Sequence, residues 1–310
     1  MMKVDVDEFE RMFPDEAACL THVAKVRFGP DLRCPHCENG LLRRCRTRPK
    51  RLICKACQRD CSIGQGTVFD HCRGSFRDLL YLMLIMANSS ATVSISFVER
   101  HFGVSRMAAY RMLMVIRAHL AASGSWAQRG GPGMTVHIDE TWCPTIRQGG
   151  RGARRGLIVF GIIDEGGVNA QVVASRQKSE LLPIITKTVR PGSLVVTDQL
   201  ATYRCLGGLG FKHVALNHSR GEWSNGAGQS SSMIESYWTS LKHFLRFANG
   251  SIQEQQFGLY LAEHVFKFNA ARSAHCAFRQ MIGAFPRIDR ELLPQAIDFA
   301  RYRRLGTTSD

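Results

Sequence analysis

A mixed α/β domain, preceded by a small cysteine module and a helical region, is the architecture this sequence predicts. Three observations predict it. From residue 134 onward, short β-like runs alternate with helical stretches. Between residues 76 and 120, apolar residues recur at helical spacing. Ahead of both, two Cys-x-x-C knuckles stand with sixteen residues between them. At 310 residues the chain has room for about two domains, with a core large enough to need no disulfide staples.

Composition narrows the class. A hydrophobic share of 45% and a charged share of 22% are ordinary for a soluble globular protein. The net charge of +15 is not ordinary, and with a pI near 9.7 it points to a polyanionic partner. A membrane partner is disfavoured, because the longest apolar run, Leu79 to Ala87, is too short to span a bilayer. The N-terminus has no apolar signal core, so a cytoplasmic protein is expected, with its eleven cysteines mostly reduced.

Those cysteines are therefore read first as metal ligands. Cys34, Cys37, Cys54 and Cys57 have the spacing of a structural zinc ribbon, each knuckle directing two thiolates to one tetrahedral Zn²⁺. Cys45, Cys61 and Cys72 are left over as packing residues. The loop between the knuckles carries six basic residues: Arg43, Arg44, Arg46, Arg48, Lys50 and Arg51. Such a tip is either a solvated hairpin or a set of phosphate contacts that position DNA without reading its sequence. The charge density favours the second.

The middle region is helical. Phe76 to Met86 is almost wholly apolar and reads as a buried helix. A second helix, Ala91 to Phe102, is followed by a Gly103-Val104 turn, and Ser105 can cap a third helix from Arg106 to Arg117. Helix, glycine turn and capped helix outline either a helix-turn-helix or a plain packing hairpin. In the first reading, Arg106, Tyr110 and Arg111 lie near the start of the recognition helix. Residues 121–133, glycine-rich and without periodicity, read as a linker.

Beyond it come β-like runs at Thr135–Ile138, Leu157–Ile163, Val168–Ala174, Leu194–Thr197 and His213–Leu216, with a Glu165-Gly166-Gly167 turn between the second and third. Helices are expected over Ser179–Val189, Ala201–Leu209 and Ile252–Ala277, the last packing on the sheet. Asp139 ends the first run and Asp198 follows the fourth. Two acids at strand ends and a third, Glu235, on a late helical stretch can converge on a pair of hard divalent cations. Lys242 follows Glu235 by seven residues, two helical turns on the same face. Neighbours in a strand face opposite ways, so only one of Asp139 and Glu140 is expected to enter such a site, and the strand pattern does not choose between them. Arg147, Arg151, Arg154 and Arg155 follow the first strand as a DNA clamp or a solvated loop. Trp238 is either core or a base-stacking residue.

These residues resemble a ribonuclease-H-like, retroviral-integrase-like catalytic domain. In that fold the first acid lies on the first strand, the second follows the fourth strand, and the third lies on a late helix. Along nearly its whole length the chain is similar to the zinc-ribbon DDE transposases of bacterial insertion sequences, the group related to Merlin elements. The motifs that carry the resemblance are the four-cysteine ribbon, Gly66-Thr67-Val68-Phe69, Gly103-Val104-Ser105, Ile138-Asp139-Glu140-Thr141 and Thr197-Asp198. They continue with Ile234-Glu235-Ser236-Tyr237-Trp238, Lys242, and Glu263 with Phe268-Asn269. One departure is Ser232, at a position where family members commonly carry Asn.

The resemblance chooses Asp139 over Glu140. It implies that Asp139, Asp198 and Glu235 hold two Mg²⁺ or Mn²⁺ ions, with Lys242 on a nearby phosphate. It implies a bacterial transposase acting on double-stranded DNA, both the element's inverted repeats and the target, as a homo-oligomer on DNA. The alternatives are an inactive DNA-binding regulator and a metal-dependent nuclease that does not join strands. The expected organisation is an N-terminal segment with the ribbon (1–72, core 31–62) and a helical region (73–121). After these come the linker (122–133), the catalytic domain (134–280) and a basic tail (281–310) with Arg287, Arg290, Arg301, Arg303 and Arg304.

Overall fold

The computed structural model describes residues 3–70, 72, 74–124, 127–145, 155–216, 232–247 and 252–288. The chain forms two compact units, Met1–Gly124 with Ala274–Asp310, and Ser125–Ser273.

The first unit begins with α1 (Val6–Met12) and α2 (Glu16–Phe28). Each is started by an aspartate, Asp5 or Asp15, whose carboxylate accepts a backbone N–H of the first turn. Three short strands, β1 (Leu42–Arg44), β2 (Arg51–Cys54) and β3 (Asp60–Ser62), then pair antiparallel. The helical region follows as α3 (Phe76–Asn88), α4 (Ile95–Phe102) and α5 (Arg106–Ser123). Gly103 ends α4 in the left-handed conformation, with φ of 63°, and the Ser105 hydroxyl caps α5 on the Ala108 N–H. The two helices joined by a glycine turn are present, α4 starting four residues later than the sequence suggested, and both the DNA-binding and the packing-hairpin readings share this outline.

The second unit is built on a five-stranded mixed sheet. Its strands are β5 (Thr135–Thr145), β6 (Arg155–Asp164), β7 (Gly167–Val173), β9 (Leu194–Thr197) and β10 (Lys212–Ala215). In space the order is β10-β9-β5-β6-β7, with β5, β6 and β7 antiparallel and β9 and β10 running parallel to β5. Between β7 and β9 lie α6 (Lys178–Thr188) and the short β8 (Val189–Arg190). Val136, Ile138, Phe160, Ile162 and Val195 pack on one face of the sheet with Leu181 and Ile185 of α6 and with Tyr203 and Leu206. The other face carries α7 (Ser232–Phe247), over β5 and β6, and α8 (Phe257–Ala270), over β7. At the edge of the sheet, the Asn269 side chain of α8 accepts the Val168 N–H at 2.7 Å and donates to the Val168 carbonyl at 2.9 Å.

Several expectations change here. β5 runs to Thr145 rather than Ile138, because its second half pairs with β6 alone. Residues 201–209 wind as a 3-10 segment, with Gly207 and Gly208 near its end. The stretch read as a linker carries β4 (Arg129–Gly130), which pairs with β8. Buried Arg129 reaches the Asp164 carboxylate at 3.2 Å and the Asn169 amide oxygen at 3.0 Å. α5 itself continues to Ser123.

The C-terminal helix is also two helices. α8 belongs to the second unit, whereas α9 (Ala277–Ile282) belongs to the first. The reason is apolar complementarity. Phe278 packs against Phe9 and Phe13, His119 and His22 bond the carbonyls of Met281 and Ile282, and Phe285 meets Phe69. The chain is held on through Ile288, whose N–H reaches the Gly66 carbonyl at 2.8 Å. Arg287 is exposed, and Arg290, Arg301, Arg303 and Arg304 lie outside the described residues. No helix among the described residues is long and apolar enough to cross a membrane.

Candidate active site and metal centres

The ribbon cysteines meet as their spacing predicts. Cys34, Cys37, Cys54 and Cys57 place their sulfurs within 4.8 Å of one another, with Cys34–Cys57 at 3.8 Å and Cys37–Cys54 at 3.6 Å. Four thiolates bound about 2.3 Å from a tetrahedral Zn²⁺ stand about 3.8 Å apart, so the residues fit that ion. Backbone N–H groups of Cys57 and Ala56 point at the Cys54 sulfur and hold its thiol down at about 6. Gly40 closes the site from beside it. A Cβ there would lie 2.3 Å from the Cys54 sulfur, so only glycine lets the backbone pass this close. Cys45, Cys61 and Cys72 are not in this cluster.

The acidic residues are assembled by the sheet. β9 pairs with β5 only from Thr135 to His137, so the edge of β5 is open from Ile138 onward. Asp198, directly after β9, turns into that opening and accepts the Leu200 N–H at 2.9 Å. Asp139, Glu140 and Asp198 there bring carboxylate oxygens within 4.8 Å of one another, and all three are half-buried.

The expectation that only one of Asp139 and Glu140 could enter is corrected. Strand alternation does hold: Asp139 faces α7, while Glu140 faces the 3-10 segment and accepts the Tyr203 hydroxyl. Past the end of β9, however, no neighbouring strand separates the two side chains, and both reach the same space. Burial and the adjacent charges of Asp139 and Asp198 push the Glu140 carboxyl up to about 8, with Arg176 pulling the other way. A divalent cation would relieve this crowding, and an all-oxygen donor set suits a hard one.

On the α7 side, the Trp238 indole N–H donates to Asp139 Oδ2 at 2.8 Å. It reaches there across Gly161, the residue paired with Asp139 on β6. Glu235 stands one helical turn before Trp238 and Lys242 one turn after, on the same face of α7. Glu235 is half-buried but is not among the three carboxylates that cluster, and Lys242 is exposed. Sequence reasoning weighed Glu140 only as the alternative to Asp139, did not single out Tyr203 and left Trp238 undecided.

The candidate DNA contacts divide by environment. Arg43, Arg46 and Arg48 are exposed on the ribbon. Arg44 instead turns back onto α2, donating to the Ala17 carbonyl at 2.6 Å and to the Thr21 hydroxyl. Lys50 likewise reaches the carbonyls of Cys72 and Gly74. At the start of α5, Arg106 and Arg111 are exposed and Tyr110 is half-buried; Arg106 lies 3.7 Å from Glu99 of α4. Arg155 opens β6, while Arg147, Arg151 and Arg154 lie outside the described residues.

Comparison with known proteins agrees with this geometry. A family described as the ISXO2-like transposase domain matches residues 131–269, and the transposase zinc-ribbon domain matches residues 14–60. An "Uncharacterized transposase-like protein" of Haemophilus influenzae (strain ATCC 51907 / DSM 11121 / KW20 / Rd) is 36% identical over 103 residues, covering 77% of that protein and 32% of this chain. The chain belongs to the zinc-ribbon DDE transposases. The transposase's second unit has the ribonuclease-H-like arrangement: counted in its main sheet, Asp139 is on the first strand, Asp198 follows the fourth, and Glu235 is on a later helix. A solved structure titled "Crystal structure of a pre-cleavage Mos1 transpososome" is 10% identical, with 63% of this chain and 78% of that chain covered and a TM-score of 0.19.

Proposed function

We propose that this transposase binds the terminal inverted repeats of an insertion sequence and catalyses two-metal-ion DNA strand cleavage and strand transfer. The observation that carries this reading is the convergence of Asp139, Glu140 and Asp198 at the open edge of β5. When bound, a pair of Mg²⁺ or Mn²⁺ ions activates a water or 3′-hydroxyl nucleophile and stabilises the leaving oxygen.

The chain's own residues do the rest. Asp139, within β5, and Asp198, directly after β9, supply hard oxygen ligands from the sheet, which fixes their separation. Glu235 comes in from α7 as a third ligand, and Glu140, held by Tyr203, crowds the same space. Lys242 places a positive point charge beside the phosphate. The ribbon and the α4–α5 pair bind the duplex: Arg43, Arg46 and Arg48 through phosphates, and Arg106, Tyr110 and Arg111 at the start of α5 through the groove. Arg151, Arg154 and Arg155, which follow β5 in the sequence, clamp the DNA strand. Because two ends must be brought together, the active species is a homo-oligomer on DNA.

The test is strand transfer in vitro with labelled DNA bearing the flanking inverted repeats, a target plasmid and Mg²⁺, beside Asp198→Asn. Joined products that vanish in the variant support the reading. Cleavage without joining would reassign the protein as a nuclease. Specific binding with neither product would leave a DNA-binding protein without chemistry.

A further inference from the structure

We infer that Trp238 is a positioning residue for the metal site: its indole N–H fixes the Asp139 carboxylate and so ties the helix bearing Glu235 and Lys242 to the strand bearing the first acid. The inference rests on the two-metal reading above and adds a residue with no metal-binding atom of its own.

Three observations support it. First, the bond is direct and shielded. Trp238 is 4% exposed, and its Nε1 lies 2.8 Å from Asp139 Oδ2. A hydrogen bond to a carboxylate in such surroundings is stronger than one in water. It removes rotational freedom from a side chain that must hold an ion at fixed geometry.

Second, the path of the ring is cleared for it. Gly161 pairs with Asp139 across β5 and β6. A Cβ at Gly161 would lie 2.6 and 2.9 Å from two carbons of the Trp238 indole, closer than side chains pack. The missing side chain is what allows the ring to lie over β6 and reach the acid on the next strand. Gly161 has no positive φ to explain it, so close approach is the reason for glycine there.

Third, the geometry of α7 makes this one contact control two others. Glu235, Trp238 and Lys242 lie at i, i+3 and i+7, on one face. Pinning Trp238 to Asp139 therefore sets both the rotation of α7 and its advance along β5. Ile234 and Leu241 bury the helix through undirected apolar contact and Ser240 ties it to His264 of α8 at 3.0 Å, whereas the Trp238 bond is directed at the acid on β5 itself. One partner of the bond is itself a proposed ligand, so metal binding and helix position become linked.

The experiment uses the full-length protein and reads metal binding by calorimetry with Mn²⁺. Trp238→Phe keeps most of the ring volume and removes the N–H. We expect its Mn²⁺ affinity to fall about tenfold while its unfolding midpoint stays near that of the wild type, the size usual for losing a hydrogen bond to a ligating group. Gly161→Ala, which must displace the ring, should reproduce the loss, and it carries the test if Trp238→Phe fails to fold. In parallel, the indole ¹⁵N–¹H signal of Trp238 should shift on adding Mg²⁺ in the wild type and stay fixed in Asp139→Asn. Wild-type Mn²⁺ affinity in folded Trp238→Phe, with binding abolished in Asp139→Asn, would overturn the positioning role and leave the metal reading standing. A wild-type protein whose Mn²⁺ binding is unchanged by Asp139→Asn would overturn both.

Discussion

The ribbon and the acid cluster are the two groups of metal-ligand side chains that converge among the described residues, and they are built in opposite ways. The ribbon takes its four ligands from one short stretch, Cys34 to Cys57, and surrounds them with backbone N–H groups. Its backbone favours the anionic ligand, holding Cys54 down at about 6. The acid cluster gathers ligands from separate elements and places like charges together, raising Glu140 to about 8. Within the ribbon the thiols split, Cys54 held down at about 6 and Cys57 pushed up to about 11 by its thiol neighbours, whereas in the acid cluster burial and like charge raise Glu140. A structural site can be assembled by local chain geometry, whereas a reactive one relies on the surrounding fold to hold groups that repel each other.

The strongest way to break this contrast is to remove the zinc. Structural zinc sites contribute roughly 10–16 kcal/mol of apparent binding free energy to folding. We expect chelation, or Cys54→Ser, to unfold the ribbon, with loss of protection in hydrogen exchange over residues 31–62. The sheet of the second unit, with its own core, should keep its protection. Unfolding of both units together would show that the ribbon is not the local site described.

Next is removal of an acid. Asp198→Asn should lower strand cleavage by at least about a hundredfold, since a first-sphere ligand is lost. Its unfolding midpoint in metal-free buffer should equal or exceed that of the wild type, because one of three crowded charges is gone. A large fall in the midpoint would mean that these carboxylates support the fold rather than burden it.

The pH dependence sharpens the same point. The folded-state carboxyl of Glu140 lies above its ordinary value of 4.5, so folding favours its protonated form. The associated stability is fully present below about pH 4.5 and is lost as pH rises through about 8. Glu140→Gln should flatten that slope in metal-free thermal melts, and saturating Mg²⁺ should flatten it in the wild type. A slope unchanged by the substitution would assign it to another group.

The smallest effects separate two neighbouring arginines. Arg46→Ala should reduce the salt dependence of DNA binding by about one unit of slope with little change in stability. Arg44→Ala should do the reverse, losing about 1 kcal/mol in denaturant melts while the slope holds, because its donors are engaged on α2.

How far the sequence could be read follows the same division. The zinc ligands were legible because their geometry is encoded in four residues and their spacing. Asp198 was legible as an acid following a strand, and Asp139 as an acid of the first strand, helped by the family resemblance, although that strand continues past it to Thr145. The approach of both Asp139 and Glu140 to Asp198 was not legible, because alternation along a strand says nothing about where the neighbouring strand stops. Trp238 stayed ambiguous because its role depends on Gly161, a glycine whose reason lies across the sheet. Arg129 looked like part of a linker because glycines flank it, and its partners Asp164 and Asn169 become visible only once β6 and β7 have folded.

The Asn269 clasp on Val168 has a further consequence for life in a crowded cell. β7 is the outer strand of its sheet, and an open strand edge is a template on which another chain can add itself. By occupying both backbone groups of Val168, the amide leaves an incoming strand no partner at the start of that edge. Asn269 therefore covers the start of the outer edge of β7.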